Sequence, residues 1–129
     1  MLIEDYFLSL ERLLTSCSQI QRVTLTKEKR APHIGLVKGE IVFSSGLQLF
    51  IMEFVRTEPR VAKTKYRYHC QDASGTPIFR YDNAPHHSTA TFPNHKHVFS
   101  SSAGETIIAA HPPTIDTLLD EIIQLEAKG

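Results

Sequence analysis

Residues 36–55 read LVKGEIVFSSGLQLFIMEFV, with two apolar segments on either side of Ser44-Ser45-Gly46. A short turn of this composition between two β-type segments is typical of a hairpin, whose strands run antiparallel. The second segment, residues 47–55, is apolar on both faces except at Gln48 and Glu53. Such a strand is expected near the centre of a sheet, covered on both sides. The hairpin therefore predicts an antiparallel sheet around residues 47–55.

The segments that flank this hairpin extend the sheet and add two helices. Residues 20–29 alternate in polarity, and further strands are predicted at 61–71, 77–82 and 97–99. Apolar residues recur at helical spacing in 3–17 and 115–125, where Thr114 is a suitable N-cap and Gly129 a helix end. We predict that residues 1–129 form one α+β domain. Its curved antiparallel sheet of about five to six strands is flanked by N- and C-terminal amphipathic helices.

Composition and charge limit the class of protein. The 129 residues are 41% apolar and 22% charged, which is ordinary for a globular domain. Fourteen basic residues balance fourteen acidic ones, so strong non-specific binding to nucleic acid is not expected. The two cysteines have no paired spacing, the first residues lack a leader pattern, and the apolar runs are short. These features predict a cytoplasmic protein with no membrane partner.

Residues with acid–base and cationic side chains concentrate between positions 66 and 99. This segment contains five of the seven histidines, which are His69, His86, His87, His95 and His97. Strand alternation predicts that His69 lies opposite Arg80 and that Arg67 lies opposite Asp82 on one face of a hairpin. A cross-strand network of ion pairs accounts for these four residues equally well. The histidine-rich loop that follows them favours a functional site.

Three kinds of chemistry fit this set of side chains. The first is metal binding by the histidines with Asp82 or Glu53, although no metal motif of known specificity is present. The second is cleavage of RNA through its own 2′-hydroxyl, which needs a base, an acid and cations on the phosphorane. The third is binding of an anion or RNA by basic and aromatic residues without turnover.

The segment from Tyr66 to His97 also resembles a known family. It contains Tyr-Arg-Tyr-His at 66–69, Phe-Arg-Tyr-Asp-Asn-Ala-Pro-His-His at 79–87 and His-Lys-His-Val at 95–98. These strings resemble the TumE-type toxins of bacterial toxin–antitoxin pairs. The resemblance implies a small cytoplasmic toxin whose partner is a separately encoded helix-turn-helix antitoxin, with ribonuclease as the suspected activity.

Our leading hypothesis is a metal-independent endoribonuclease that acts as the toxin of a type II toxin–antitoxin module. In it, Asp82 orients an imidazole, and His86 and His87 supply the base and the acid. Arg80 and Lys96 contact the phosphate. The predicted catalytic residues are Arg80, Asp82, His86, His87 and Glu53, and the predicted substrate-binding residues are Arg67, His69, Tyr81, His95, Lys96 and His97.

Several alternatives remain open at this point. Glu53 is expected either to pair with Arg80 or orient a histidine, or to reach water near a strand end. Tyr81 is also expected as a core residue. The alternative function is a non-catalytic protein that binds RNA, an anion or a divalent metal ion, the metal at His86, His87, His95 and His97. A toxin that acts only with a translating ribosome, and a homodimer, are further possibilities.

Overall fold

The computed structural model describes residues 1–128, which form a seven-stranded antiparallel sheet and two helices. The elements are α1 Ile3–Thr15, β1 Ile20–Ala31, β2 Ile34–Phe43, β3 Gln48–Arg56, β4 Ala62–Gln71, β5 Pro77–Asp82, β6 His95–Ser100, β7 Gly104–Ala109 and α2 Ile115–Lys128. The strands lie in the sheet in chain order. The predicted α+β class and curved antiparallel sheet are confirmed, with seven strands rather than five to six. Gly129, the predicted end of α2, lies outside the described residues.

The strand that the sequence prediction missed is β7, at one edge of the sheet. It pairs with β6 over its full length. Five of its six residues are exposed, and Ile107 and Ile108 are its main apolar residues. An edge strand that buries so little lacks the alternating apolar pattern by which strands are recognised in a sequence.

Both helices pack on one face of the sheet. The residues that they bury are Ile3, Phe7, Leu10 and Leu14 of α1 and Ile115, Leu118, Leu119 and Ile122 of α2, all in one hydrophobic cluster with β2–β5. At Gly35 the backbone approaches α1 so closely that a Cβ atom would lie 2.6 Å from Ile3 Cγ1. Thr117 N–H donates to Thr114 Oγ1 at 3.2 Å, which confirms the predicted N-cap of α2. This side of the sheet is named the helix face, and the opposite side the open face.

Strand β3 is central, but it is deeply covered on one face only. The buried side chains are Leu49, Ile51, Glu53 and Val55, and the half-buried ones are Gln48, Phe50, Met52 and Phe54. The prediction that β3 is covered on both sides is therefore wrong. Both helices pack on the helix face, so the apolar side chains of the open face remain partly accessible.

One carboxylate, that of Glu53, lies fully buried in the core on the helix face. Tyr6 Oη donates to its Oε1 at 2.5 Å, Tyr68 Oη donates to its Oε2, and Lys63 Nζ lies 3.4 Å from Oε2. Burial, followed by the charge of Glu53, raises the pKa of both tyrosines, so both phenols remain donors. These three partners offset the large cost of burying a carboxylate.

This arrangement predicts that Tyr68→Phe lowers the free energy of unfolding by about 1.5–3 kcal/mol, because it removes a hydrogen bond to a buried charge. Tyr66→Phe is a matched control, since Tyr66 Oη donates to the neutral Asn94 Oδ1 at 2.9 Å. That bond is worth about 0.5–1.5 kcal/mol. Urea unfolding measures both variants. A smaller loss for Tyr68→Phe than for Tyr66→Phe would show that Glu53 is not a buried charge.

Candidate functional site

Strands β4, β5 and β6 carry six polar side chains on the open face, in two rows that cross the strands. The first row is Arg67, Asp82 and His95, and the second row is His69, Arg80 and His97. The predicted pairing of Arg67 with Asp82, and of His69 with Arg80, is confirmed. Residues opposite one another on antiparallel strands lie on the same face, about 5 Å apart. The register therefore places cationic, anionic and imidazole groups side by side.

These rows border a groove of about 430 Å³, and the loop of residues 83–94 supplies part of its lining. The groove contacts Lys65, Arg67, Arg80, Asp82, His86, His87, His95 and His97, among others. A shallower depression of about 310 Å³ shares Arg67 and Arg80 with the groove and adds Phe50 and His69. All the predicted site residues except Glu53, Tyr81 and Lys96 line one of these two hollows.

Asp82 is the centre of the polar contacts in the groove, and its side chain is 11% exposed. Its Oδ1 lies 2.9 Å from His95 Nε2, and its Oδ2 lies 3.4 Å from His97 Nε2. Arg80 Nε also lies 3.4 Å from Oδ2. The backbone N–H of Ala84 donates to Oδ1 at 3.0 Å and fixes the start of the loop. Asp82 therefore connects the two rows and anchors the loop.

The buried histidines His95 and His97 turn the same ring nitrogen towards Asp82. His95 Nδ1 lies 2.9 Å from the carbonyl oxygen of Pro93, and His97 Nδ1 lies 2.5 Å from Glu105 Oε1. Because a carbonyl and a carboxylate accept hydrogen bonds, both Nδ1 atoms are assigned as donors. The two Nε2 atoms are 3.1 Å apart. They meet in the buried part of the groove.

The loop of residues 83–94 adds His86 and His87. Its ends are fixed to β4, since Tyr66 N–H donates to Asn83 Oδ1 at 3.1 Å and Tyr66 Oη donates to Asn94. The ring of His87 packs edge-on against His95 and His97, with centroids 4.9 Å and 5.3 Å away. His86 is exposed and lines the groove. The two adjacent histidines thus have different environments.

Two guanidinium groups line both the groove that contains the loop histidines and the depression that contains His69. Arg67 is exposed and Arg80 is half-buried. Among residues 1–128, the buried atoms Arg80 Nε and His69 Nδ1 have no hydrogen-bond partner. Burial lowers the pKa of His69 most. The positive charges of Arg80 and Arg67 also lower this pKa, whereas a hydrogen bond with Gln71 raises it. His69 is consequently a neutral imidazole beside two cations.

Lys96 and Tyr81, predicted to contact substrate, lie on the helix face. Lys96 Nζ donates to Glu121 Oε2 at 2.8 Å, and Tyr81 Oη donates to Glu121 Oε1 at 2.6 Å. Strand alternation explains this position, because Lys96 lies between His95 and His97 and Tyr81 between Arg80 and Asp82. The histidines of the groove lie on the open face, so the predicted contact of Lys96 with a phosphate beside them is wrong. These two residues connect α2 to the sheet.

Glu53 is also separated from the histidines. It lies on the helix face, where its partners are Lys63 and the tyrosines described above. The predicted pairing of Glu53 with Arg80 is therefore wrong, and so is its exposure to water, since its accessibility is 0%. Residue 53 points towards the core because it shares the parity of Leu49 and Ile51 along β3.

The sequence prediction missed several contributors to the groove. Glu105 contacts His97 from β7, the carbonyl group of Pro93 orients His95, and Lys65 adds a cation to the lining. The alternation of β4 places Lys65 on the face of Arg67, so its position follows from the sequence. Glu105 could be found only by recognising β7, because its contact depends on the pairing of that strand.

One comparison with known proteins identifies the family of this chain. The model of the family described as Toxin TumE matches residues 10–128. The chain therefore belongs to the TumE toxin family, which confirms the resemblance seen in the sequence. No curated protein and no solved structure matched the chain. Within residues 1–128, neither helix has the length and apolar character needed to cross a membrane.

Lys96 and Arg67 lie on opposite faces of the sheet. We therefore expect substitutions that remove one positive charge at each position to change the free energy of unfolding by different amounts. Lys96→Met removes the partner of half-buried Glu121 and should lower the free energy of unfolding by about 1 kcal/mol. Arg67→Met alters an exposed side chain on the open face and should change it by less than about 0.5 kcal/mol. Urea unfolding measures both variants. A larger loss for Arg67→Met would contradict this division between the faces.

Proposed function

We propose that this toxin is an endoribonuclease that cleaves RNA on the open face, at Arg67 and Arg80. The observation that supports this most strongly is the position of the two guanidinium groups. They line the depression with His69 on one side and the groove with His86 on the other. A phosphate bound by both arginines would thus have an imidazole on each side.

The arginines have the properties that a phosphate site requires. A guanidinium group presents several donors in one plane and binds phosphate oxygens in pairs. Arg80 Nε makes no hydrogen bond among the described residues, although it lies 3.4 Å from Asp82 Oδ2, so the guanidinium group is incompletely paired. The half-buried ring of Phe50 lies beside them in the depression, where a base could stack on it. These features favour a single-stranded RNA over a small anion.

The two imidazoles differ in the way that acid–base catalysis needs. His69 has a lowered pKa, so it is neutral and able to accept a proton. We assign it as the base that removes the proton from the 2′-hydroxyl. His86 is exposed in the groove, and we assign its protonated form as the acid. Each positioned proton-transfer group contributes roughly 10²–10⁴-fold to such a reaction.

In the proposed reaction, the 2′-oxygen attacks the phosphorus atom while its proton passes to His69. The positive charges of Arg67 and Arg80 stabilise the phosphorane. The bond from phosphorus to the 5′-oxygen then breaks, and the 5′-oxygen takes a proton from His86. The products are a 2′,3′-cyclic phosphate and a 5′-hydroxyl, and no oxidant or metal ion takes part in these steps.

This assignment changes one pair that was predicted from the sequence. His86 and His87 were expected to be the base and the acid. In the proposal His69 replaces His87, because the ring of His87 packs against His95 and His97. The metal-independent chemistry of the original hypothesis is retained.

Membership in a toxin family implies an antitoxin partner. We propose that this partner is a helix-turn-helix protein, as the sequence resemblance implies, and that the toxin acts in the cytoplasm as part of a type II module. A homodimer stays a prediction.

The experiment is to incubate purified, untagged protein with end-labelled single-stranded RNA, alone and in a translating extract. We expect fragments that end in a 2′,3′-cyclic phosphate. An RNA with one 2′-deoxynucleotide at the cleaved position should resist cleavage there, because it lacks the nucleophile. Fragments that end in a 3′-hydroxyl, or cleavage at the deoxy position, would overturn the mechanism.

Variants test the roles of the individual residues. His69→Gln should lower the cleavage rate by at least about 100-fold while RNA affinity changes little. His111→Gln, at an exposed histidine outside both hollows, is the matched control. Arg67→Met should weaken RNA binding more than Lys96→Met does. RNA that is bound but left intact in both assays would instead support the non-catalytic binding function.

A further inference from the structure

We propose that the buried part of the groove, at His95 and His97, binds one divalent transition-metal ion of the Zn²⁺ class. Its ligands are Nε2 of His95 and of His97, a carboxylate oxygen of Asp82 and a ring nitrogen of His87. This inference deepens the proposed function. It rests on that function only where it concerns the effect of the ion on RNA cleavage. The binding site itself is argued from the geometry of the described residues.

The spacing of the ligand atoms fits a tetrahedral ion. Four ligands about 2.0–2.1 Å from Zn²⁺ lie about 3.3–3.4 Å from one another. The separations here are 3.1 Å between His95 Nε2 and His97 Nε2, 2.9 Å from His95 Nε2 to Asp82 Oδ1, and 3.4 Å from His97 Nε2 to Asp82 Oδ2. Each carboxylate oxygen thus lies at ligand spacing from one of the two nitrogens. His87 has a ligand nitrogen within 4.8 Å of those of His95 and His97. The completed site requires the His87 side chain to approach to about 3.4 Å from the other ligand atoms.

The hydrogen bonds of His95 and His97 engage Nδ1 of each ring, which leaves each Nε2 directed at the proposed metal position. His95 donates its Nδ1–H to the carbonyl of Pro93, and His97 donates its Nδ1–H to Glu105. An imidazole that donates from Nδ1 and binds a metal ion does so through the lone pair of Nε2. A histidine that binds a metal ion almost always donates its other N–H to a carbonyl or a carboxylate. Both kinds of partner are present here.

Positive charge between these groups would relieve their mutual repulsion. Two nitrogen lone pairs and a carboxylate repel one another at separations of 2.9–3.4 Å. Protons on the two rings would each bridge one nitrogen–oxygen pair, whereas a metal ion bonds to both nitrogens and the carboxylate at once. Arg80 lies on the Oδ2 side of Asp82, with Nε 3.4 Å away, so it neutralises part of the charge but makes no hydrogen bond there.

The ligand set selects the class of metal and its role. Three imidazoles and one carboxylate suit Zn²⁺ and related first-row ions better than Mg²⁺ or Ca²⁺. Four protein ligands close the coordination sphere, which is typical of a structural site. Such an ion would join His87 of the loop to β5 and β6. It would thereby hold the neighbouring His86 at a fixed place in the groove, and it would take no part in the chemical steps.

This ligand set also changes the metal alternative considered for the sequence. That alternative used His86, His87, His95 and His97. Here Asp82 replaces His86, because His86 is exposed whereas Asp82 contacts both buried histidines.

The experiment uses untagged, full-length protein that has been treated with EDTA and dialysed. Zn²⁺ is titrated against a chromophoric competing chelator, and Co²⁺ is added separately as a spectroscopic probe. We expect one ion per chain and the intense visible absorption of tetrahedral Co²⁺. Neither measurement contains RNA, so the metal result and the ribonuclease result can fail independently.

Three variants test the assignment of the ligands. His87→Ala should lower the Zn²⁺ affinity by more than about 100-fold, since it removes a ligand from an accessible loop. Glu105→Gln should lower it by about 10–100-fold, because Glu105 only orients His97. His86→Ala is the matched control and should stay within about twofold of wild type. Circular dichroism confirms that each variant is folded.

Two outcomes would overturn the proposal. One is the absence of stoichiometric Zn²⁺ binding by the folded wild-type protein. The other is an equal loss of affinity in His86→Ala and His87→Ala, which would indicate that the exposed histidines bind metal ions adventitiously.

Discussion

The two-residue alternation of the strands, combined with the register of β4, β5 and β6, is the constraint on which the site depends. It places Arg67, Asp82 and His95 in one row and His69, Arg80 and His97 in the next. A shift of one residue in this pairing would move every one of these side chains to the other face. The groove exists because, in this register, β4, β5 and β6 all direct these alternate side chains to the open face.

The same alternation gives the two faces different tasks. On the helix face, polar groups are used for packing: Glu53 is held by Lys63 and two tyrosines, and Glu121 joins α2 to Lys96 and Tyr81. On the open face, donors and acceptors line the groove and the depression, and two of their buried atoms have no partner among the described residues. We therefore expect substitutions on the helix face to alter stability and substitutions on the open face to alter the proposed RNA binding.

The sequence allowed the pairing of Arg67 with Asp82 and of His69 with Arg80 to be predicted, because a short turn fixes the register of a hairpin. It also predicted both helices and the α+β class. Lys96 was misplaced because its neighbours His95 and His97 suggested a common role, although alternation separates them. Glu53 was misplaced because the sequence does not show which face of β3 the helices cover. Glu105 was missed because an exposed edge strand leaves little trace in the sequence, and its contact with His97 depends on that strand.

The most direct test of the account is a crystal structure with a short RNA whose cleavage position carries a 2′-deoxynucleotide. The account predicts that the scissile phosphate lies against Arg67 and Arg80 on the open face. His69 should face the 2′-position and His86 the 5′-oxygen. A scissile phosphate bound on the helix face, near Lys63 or Lys96, would contradict the account.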